Sequence, residues 1–176
     1  PNVFSNNPCV FSFHLHPWKS SIYSSFDNGV TLGYDYTIGT ANVNSSKLTR
    51  TDDSSESNQD GDRSAQAEIE NVMAIYVEAP LHAGLYVKGG YTEMDVNTLE
   101  TGDSSISSTY GNSTVSGTNL GFGAKGNFTG GLGWKVAYEI QDFDTLSIAS
   151  SQTDKGNRVE ADLDTTHLNF SLGYKF

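Results

Sequence analysis

Apolar and polar residues alternate with a period of two along most of this chain, which restricts it to sheet structure. Val30, Leu32, Tyr34, Tyr36 and Ile38 fall on one face of an extended strand, and Thr31, Gly33, Asp35, Thr37 and Gly39 on the other. A helix repeats every 3.6 residues and would scatter that set around its circumference. Residues 69–79 set Ile69, Met73, Ile75 and Val77 against Glu70, Val72, Ala74, Tyr76 and Glu78. Residues 85–96 set Leu85, Val87, Gly89 and Tyr91 against Tyr86, Lys88, Gly90 and Thr92. Within 116–128, Leu120, Phe122, Ala124 and Phe128 oppose Asn119, Gly121, Gly123 and Lys125. Within 132–143, Leu132, Trp134, Val136, Tyr138 and Ile140 oppose Lys135, Ala137, Glu139 and Gln141. The last stretch sets Leu168, Phe170, Leu172, Tyr174 and Phe176 against His167, Asn169, Ser171, Gly173 and Lys175.

The connections alternate short and long. Residues 79–84 and 129–131 read as tight turns, whereas 44–67, 97–115 and 144–158 read as long polar loops. Transmembrane barrels show this asymmetry, with short periplasmic turns and longer outer loops. Six strands are clear. Single-chain bacterial barrels carry even numbers of strands, so eight are expected. Residues 1–28 are then expected to supply one or two strands, and 29–176 the rest of the barrel. Phe11, Phe13 and Leu15 alternate with Ser12, His14 and His16 until Pro17, which cannot donate to a ladder.

Either face of such a sheet can line a closed barrel. The strands exceed the usual soluble length of about five to six residues. The non-greasy face is rich in Gly and small polar residues, and aromatics such as Tyr34, Tyr91, Phe128, Trp134 and Tyr174 gather toward strand ends. All three features favour the greasy face meeting lipid, with aromatic girdles at the interfaces. An open sheet edge in hydrocarbon leaves backbone groups unpaired, so the sheet must close. The expected fold is an all-β, antiparallel up-and-down transmembrane barrel. No run of about 18 apolar residues exists, which excludes a transmembrane helix. Mean hydropathy of −0.42 does not exclude a barrel, because alternation dilutes its apolar face. The net charge of −11 argues against nucleic acid as a partner. Asp52, Asp53, Glu56, Asp60 and Asp62 concentrate acid in one segment, which reads as a solvated outer loop. Cys9 is the single cysteine, so neither an internal disulfide nor a cysteine metal site is expected. No signal-peptide pattern is expected within the residues present, and a chain opening on Pro1 rather than Met leaves room for an upstream segment.

The terminal stretch Leu168-Asn169-Phe170-Ser171-Leu172-Gly173-Tyr174-Lys175-Phe176 resembles the C-terminal signature of outer-membrane barrels. From about residue 29 the chain is similar to the small eight-stranded barrel domains of the OmpA, OmpX and opacity-protein kind. The resemblance implies a place in the outer membrane of a Gram-negative bacterium, among lipid and lipopolysaccharide. It also implies that Leu168, Phe170, Leu172, Tyr174 and Phe176 form a signal read by the barrel-assembly machinery.

The inner face of this barrel would carry Asp35, Glu70, Glu78, Lys88, Lys125, Lys135 and Glu139. A lumen only wide enough for side chains must pair such charges, so these residues are expected to form a polar network that plugs it. Gly121-Phe122-Gly123-Ala124-Lys125-Gly126 has a dinucleotide-binding spacing but lies inside an alternating strand, with no helix to meet a pyrophosphate. His14 and His16 lack a third metal ligand. His167 and Ser171 are four residues apart, roughly 13 Å along a strand, too far to form a nucleophile and base. The sequons Asn112-Ser113-Thr114 and Asn127-Phe128-Thr129 carry little weight in such a membrane. No catalytic residue, cofactor or metal is assigned. The reading is a non-enzymatic barrel with a structural or surface-interaction role and acidic outer loops. A lipid-modifying barrel enzyme, a narrow channel and a soluble ligand-binding barrel are the alternatives.

Overall fold

The computed structural model describes residues 10–14, 19–43, 48–52, 61–102, 109–151 and 158–175. Twelve strands are assigned in them: β1 Val10–His14, β2 Lys19–Ser25, β3 Thr31–Thr37, β4 Ala41–Asn42, β5 Leu48–Asp52, β6 Gly61–Pro80, β7 Leu85–Gly102, β8 Ser113–Asn127, β9 Leu132–Phe143, β10 Leu146–Ala149, β11 Arg158–Ala161 and β12 Thr165–Lys175. Eight of them form a closed ring of antiparallel pairings, β1-β2-β3-β6-β7-β8-β9-β12 and back to β1. The pairing of β3 with β6, from Thr31↔Glu78 to Tyr36↔Met73, completes the ring. Short turns at 26–30, 81–84 and 128–131 mark one end. Gly29, Gly84, Gly130 and Gly131 there adopt positive φ, which the tight reversals require.

The greasy face points outward. Leu32 is 47%, Phe122 61% and Phe170 50% exposed, and Val136 is partly covered. Asp35, Glu78, Lys88, Asn119 and Glu139 on the opposite face are no more than 4% exposed. A water-soluble barrel would have the reverse polarity. Each outward Leu, Ile, Val or Phe would forgo roughly 1.5–3 kcal/mol in water, and lipid removes that penalty. On β9 the outward set runs Leu132, Trp134, Val136, Tyr138, Ile140 and then turns to Asp142. That span matches the roughly 9–11 residues of a tilted transmembrane strand.

Above this belt the polarity inverts. β6 has 20 residues and β7 has 18, about twice a membrane crossing, and they stay paired up to Arg63↔Gly102. Outside, Glu93, Asp95, Asp142 and Asp144 replace the greasy residues. Inside, Met94, Val96, Val115 and Phe143 form a dry core with Leu146 and Ile148 of the β10–β11 hairpin. The reading of 44–67, 97–115 and 144–158 as loops is therefore corrected in part: these segments contribute β5, the upper ends of β6 and β7, the start of β8, and β10. Their strand character was hidden because water, not lipid, faces their outer side.

A bulge in β6 lies at this boundary. Glu70 pairs with Asp95 and Met73 with Glu93, so β6 carries one extra residue there, and Asn71 takes φ 53°. The extra residue reverses the strand's alternation. Below it Ala74, Tyr76 and Glu78 face inward; above it Ile69 packs on the upper core. Tyr36 Oη donates to Asn71 Oδ1 at 2.9 Å, Asn71 Nδ2 to Asp95 Oδ2 at 3.0 Å, and Thr114 Oγ1 to Asp95 Oδ1 at 2.7 Å. The bonds from Thr114 and Asn71 hold the Asp95 carboxyl below its ordinary range. A lowered folded pKa stabilises fully above the unfolded value near pH 4 and is lost as pH falls through the folded one. The upper barrel should therefore loosen first on acidification, seen as earlier amide exchange in 93–97 than in 85–91.

Asn71→Val and Asn71→Gly both delete the amide but differ in tolerance of positive φ. The valine variant should be less stable than the glycine variant by roughly 1–2 kcal/mol in urea unfolding of the refolded barrel. Equal midpoints would show that the bulge does not depend on that backbone angle.

Candidate functional site: the charged lumen

Lysines and carboxylates from six strands, β2, β3, β6, β7, β8 and β9, meet in the narrow lumen at two levels. In the upper layer Lys88 Nζ lies 3.1 Å from Asp35 Oδ2 and 2.9 Å from Glu139 Oε1. Lys88 stands on β7, Asp35 on β3 and Glu139 on β9, so one ammonium ties three walls together. Lys19 of β2 adds contacts of 2.7 Å to Asp35 Oδ2 and 3.8 Å to Glu139 Oε2. His167 of β12 places Nε2 3.6 Å from Glu139 Oε2, and Asn119 Nδ2 donates to the same oxygen at 3.5 Å. In the lower layer the Glu78 carboxylate takes Lys125 at 2.8 Å and also Lys135. Lys125 further donates to Thr31 Oγ1 at 3.2 Å.

Two buried tyrosines join the layers. Lys88 Nζ sits 3.9 Å from the Tyr76 ring centre, and Lys135 Nζ 5.3 Å from it. Lys125 and Lys135 lie 5.2 and 5.1 Å from the Tyr86 ring centre. Such cation–π contacts spread ammonium charge that the carboxylates do not fully neutralise. The rings lie flat on the wall because glycines face them. A Cβ on Gly33 would come within 2.2 Å of the Tyr76 ring, and one on Gly123 within 2.6 Å of the Tyr86 hydroxyl. Above the layers lies a cavity of about 480 Å³, with Lys19, Asp35 and His167 among the residues around it.

The sequence family described as outer membrane protein beta-barrel domain matches residues 11–176. The chain belongs to that family. It is an integral protein of the Gram-negative outer membrane. Two solved structures from Acinetobacter baumannii resemble this outer-membrane barrel. CarO2 has 12% identity and a TM-score of 0.44 over 97% of this chain and 98% of its own. CarO has 13% identity and a TM-score of 0.42 over 97% of each chain. No curated protein matches the chain.

Of the residues expected in the lumen of this family member, Asp35, Lys88 and Glu139 meet in the upper layer, and Glu78, Lys125 and Lys135 in the lower one. Glu70 joins neither. The bulge sets it opposite Asp95, and it accepts a hydrogen bond from Asn97 Nδ2. Its expected place inside is corrected on that ground, as is the outward place of Ile69. Lys19, Tyr76 and Tyr86 were not singled out for the network. Tyr76 and Tyr86 share the parity of the charges and face glycines in paired strands, which was the available signal. Gly121 and Gly123 lie in the wall of β8, against Glu139 and Tyr86. His167 pairs with Glu139 and Ser171 with Lys135, so the two stand at different levels. Leu168, Phe170, Leu172 and Tyr174 all face outward on β12. Phe176, His16 and the acidic segment 53–60 lie outside the described residues.

Removing Lys88 leaves two buried carboxylates, Asp35 and Glu139, to share Lys19. Lys88→Met should destabilise the refolded barrel by roughly 3–5 kcal/mol in urea. Adding Glu139→Gln should recover part of that loss, since the two groups share one network. Additive effects would show that Lys88 and Glu139 act independently.

Proposed function

We propose that this outer-membrane barrel is a closed, non-conducting, non-enzymatic wall protein whose contacts are made by its rigid acidic extension above the membrane. The observation that carries the reading is the pair of cross-lumen layers centred on Lys88 and Glu78. An ion moving through would have to displace side chains from three or more strands at each level. Buried charges of this kind are strongly destabilised once a partner is withdrawn. The extension supports a surface role: its own dry core holds it stiff, and Glu93, Asp95, Asp142 and Asp144 present negative charge to water. Partners with basic surfaces fit that exterior.

Planar bilayers test the closed state. Wild-type barrel, its insertion verified by a heat-modifiable gel shift, should give no conductance steps in high salt. A Tyr76→Ala/Lys88→Ala variant that passes the same insertion check should conduct, because it removes the tie between the layers. Steady wild-type current would overturn the reading in favour of a narrow channel.

A further inference from the structure

The two charged layers are not equally balanced. In the upper one Lys19 and Lys88 meet Asp35 and Glu139, two ammoniums against two carboxylates. In the lower one Lys125 and Lys135 both end on Glu78. Among the described residues no other carboxylate reaches either of these lysines. The two layers together therefore hold four ammoniums and three carboxylates, and the excess positive charge belongs to the lower layer. A protonated His167 would only widen the gap.

Hydrogen-bond donors are in excess at the same level. Glu78 gives one oxygen to each lysine, and Lys125 also donates to Thr31 Oγ1. Each ammonium carries three N–H donors, so these acceptors do not use them up. Tyr86 is 1% exposed, and its hydroxyl has no hydrogen-bond partner. Lys125 Nζ and Lys135 Nζ lie 5.2 and 5.1 Å from the centre of its ring, so donors from β7, β8 and β9 converge on one region. Buried polar groups are nearly always satisfied, and a buried charge without a counter-charge is costly. One acceptor bearing a single negative charge answers both demands, whereas water answers only the first.

The lower layer lies close to the end of the barrel that carries the tight turns. One inward position, Asn127 on β8 or Gly133 on β9, separates each lysine from the turn at 128–131. The Lys125 and Lys135 side chains are 30% and 18% exposed, against 1% for Lys88 in the upper layer. A Cβ on Gly133 would meet Asn127 Oδ1 at 3.3 Å and otherwise only backbone oxygens, the nearer at 3.4 Å. The wall next to Lys135 therefore stands back from the lumen, on the side from which water reaches the ammoniums.

We propose that the lower layer binds one small monovalent inorganic anion of the chloride kind, held by Lys125, Lys135 and the Tyr86 hydroxyl and admitted from the turn end. A divalent anion would overcompensate the charge, and a bulky one would not fit a lumen only wide enough for side chains. The site lies on the turn side of the upper layer and does not need that layer to be sealed, so a conducting lumen would leave it standing.

Urea unfolding of the full refolded barrel tests this at constant ionic strength, with sodium chloride exchanged for sodium gluconate, whose anion is too large for the lumen. The unfolding constant should fall as chloride rises, approaching about tenfold for each tenfold increase, the slope for one bound ion. Lys135→Gln removes the excess charge and should flatten that dependence. Tyr86→Phe keeps the ring, removes the donor and should move the dependence to roughly tenfold higher chloride, as one lost hydrogen bond to a charged group predicts. Arg158→Gln removes an exposed cation of the extension and should leave the slope as it is. A heat-modifiable gel shift confirms that each variant is folded. Crystals grown in sodium bromide give a second reading, in which an anomalous peak should touch both ammoniums of the lower layer. Equal stability in chloride and gluconate, a slope that survives Lys135→Gln or is lost in Arg158→Gln, or a lower layer without bromide would overturn the proposal.

Discussion

Closure of the sheet is the constraint from which the rest follows. Hydrocarbon offers backbone amides no partner, so a strand edge left open in the membrane would cost several kcal/mol for each exposed group. Among the described residues the pairings of β3 with β6 and of β1 with β12 close the membrane-spanning ring. Eight strands fix the radius, and that radius leaves room for side chains and little else. Charges placed inside are therefore packed against one another and must be matched there. The ion-pair layers are in this sense a consequence of strand number.

The same confinement explains the glycines. A charged layer spanning the lumen needs long side chains from several walls, and two aromatic rings must then lie against the wall between layers. Gly33 and Gly123 provide the depth for Tyr76 and Tyr86. Their small size is a condition for the cross-lumen contacts of Lys88, Lys125 and Lys135, which links the small-residue face of β3 and β8 to the charge of β7 and β9.

Much of this was legible in the sequence where one rule held throughout a strand. In β3, β8, β9 and β12 the alternation ran unbroken, lipid faced one side, and Asp35, Lys125, Lys135 and Glu139 fell inside by parity alone. β6 broke the rule. Its alternation reverses at Asn71, and nothing in the string Glu68-Ile69-Glu70-Asn71-Val72-Met73 marks an extra residue except an asparagine that tolerates positive φ. Glu70 was misplaced for that reason. The upper ends of β6 and β7 were missed for a different one. Polarity reports the contrast between two sides of a sheet, and the sign of that contrast changes where water replaces lipid.

Two solvents thus act on one continuous sheet. β7 passes from one to the other without a bulge: its inward residues change from Lys88 to Met94 and Val96 while its outward ones change from Val87 and Tyr91 to Glu93 and Asp95. β6 makes the same transition with a reversal of phase, and Asn71 ties the junction to β3 and β7. A barrel with a polar lumen throughout would need its upper lumen hydrated and its long hairpins held only by backbone bonds. Placing the dry core inside gives the extension its own packing, independent of the bilayer. The charged layers lie below that core, between it and the opposite end of the barrel.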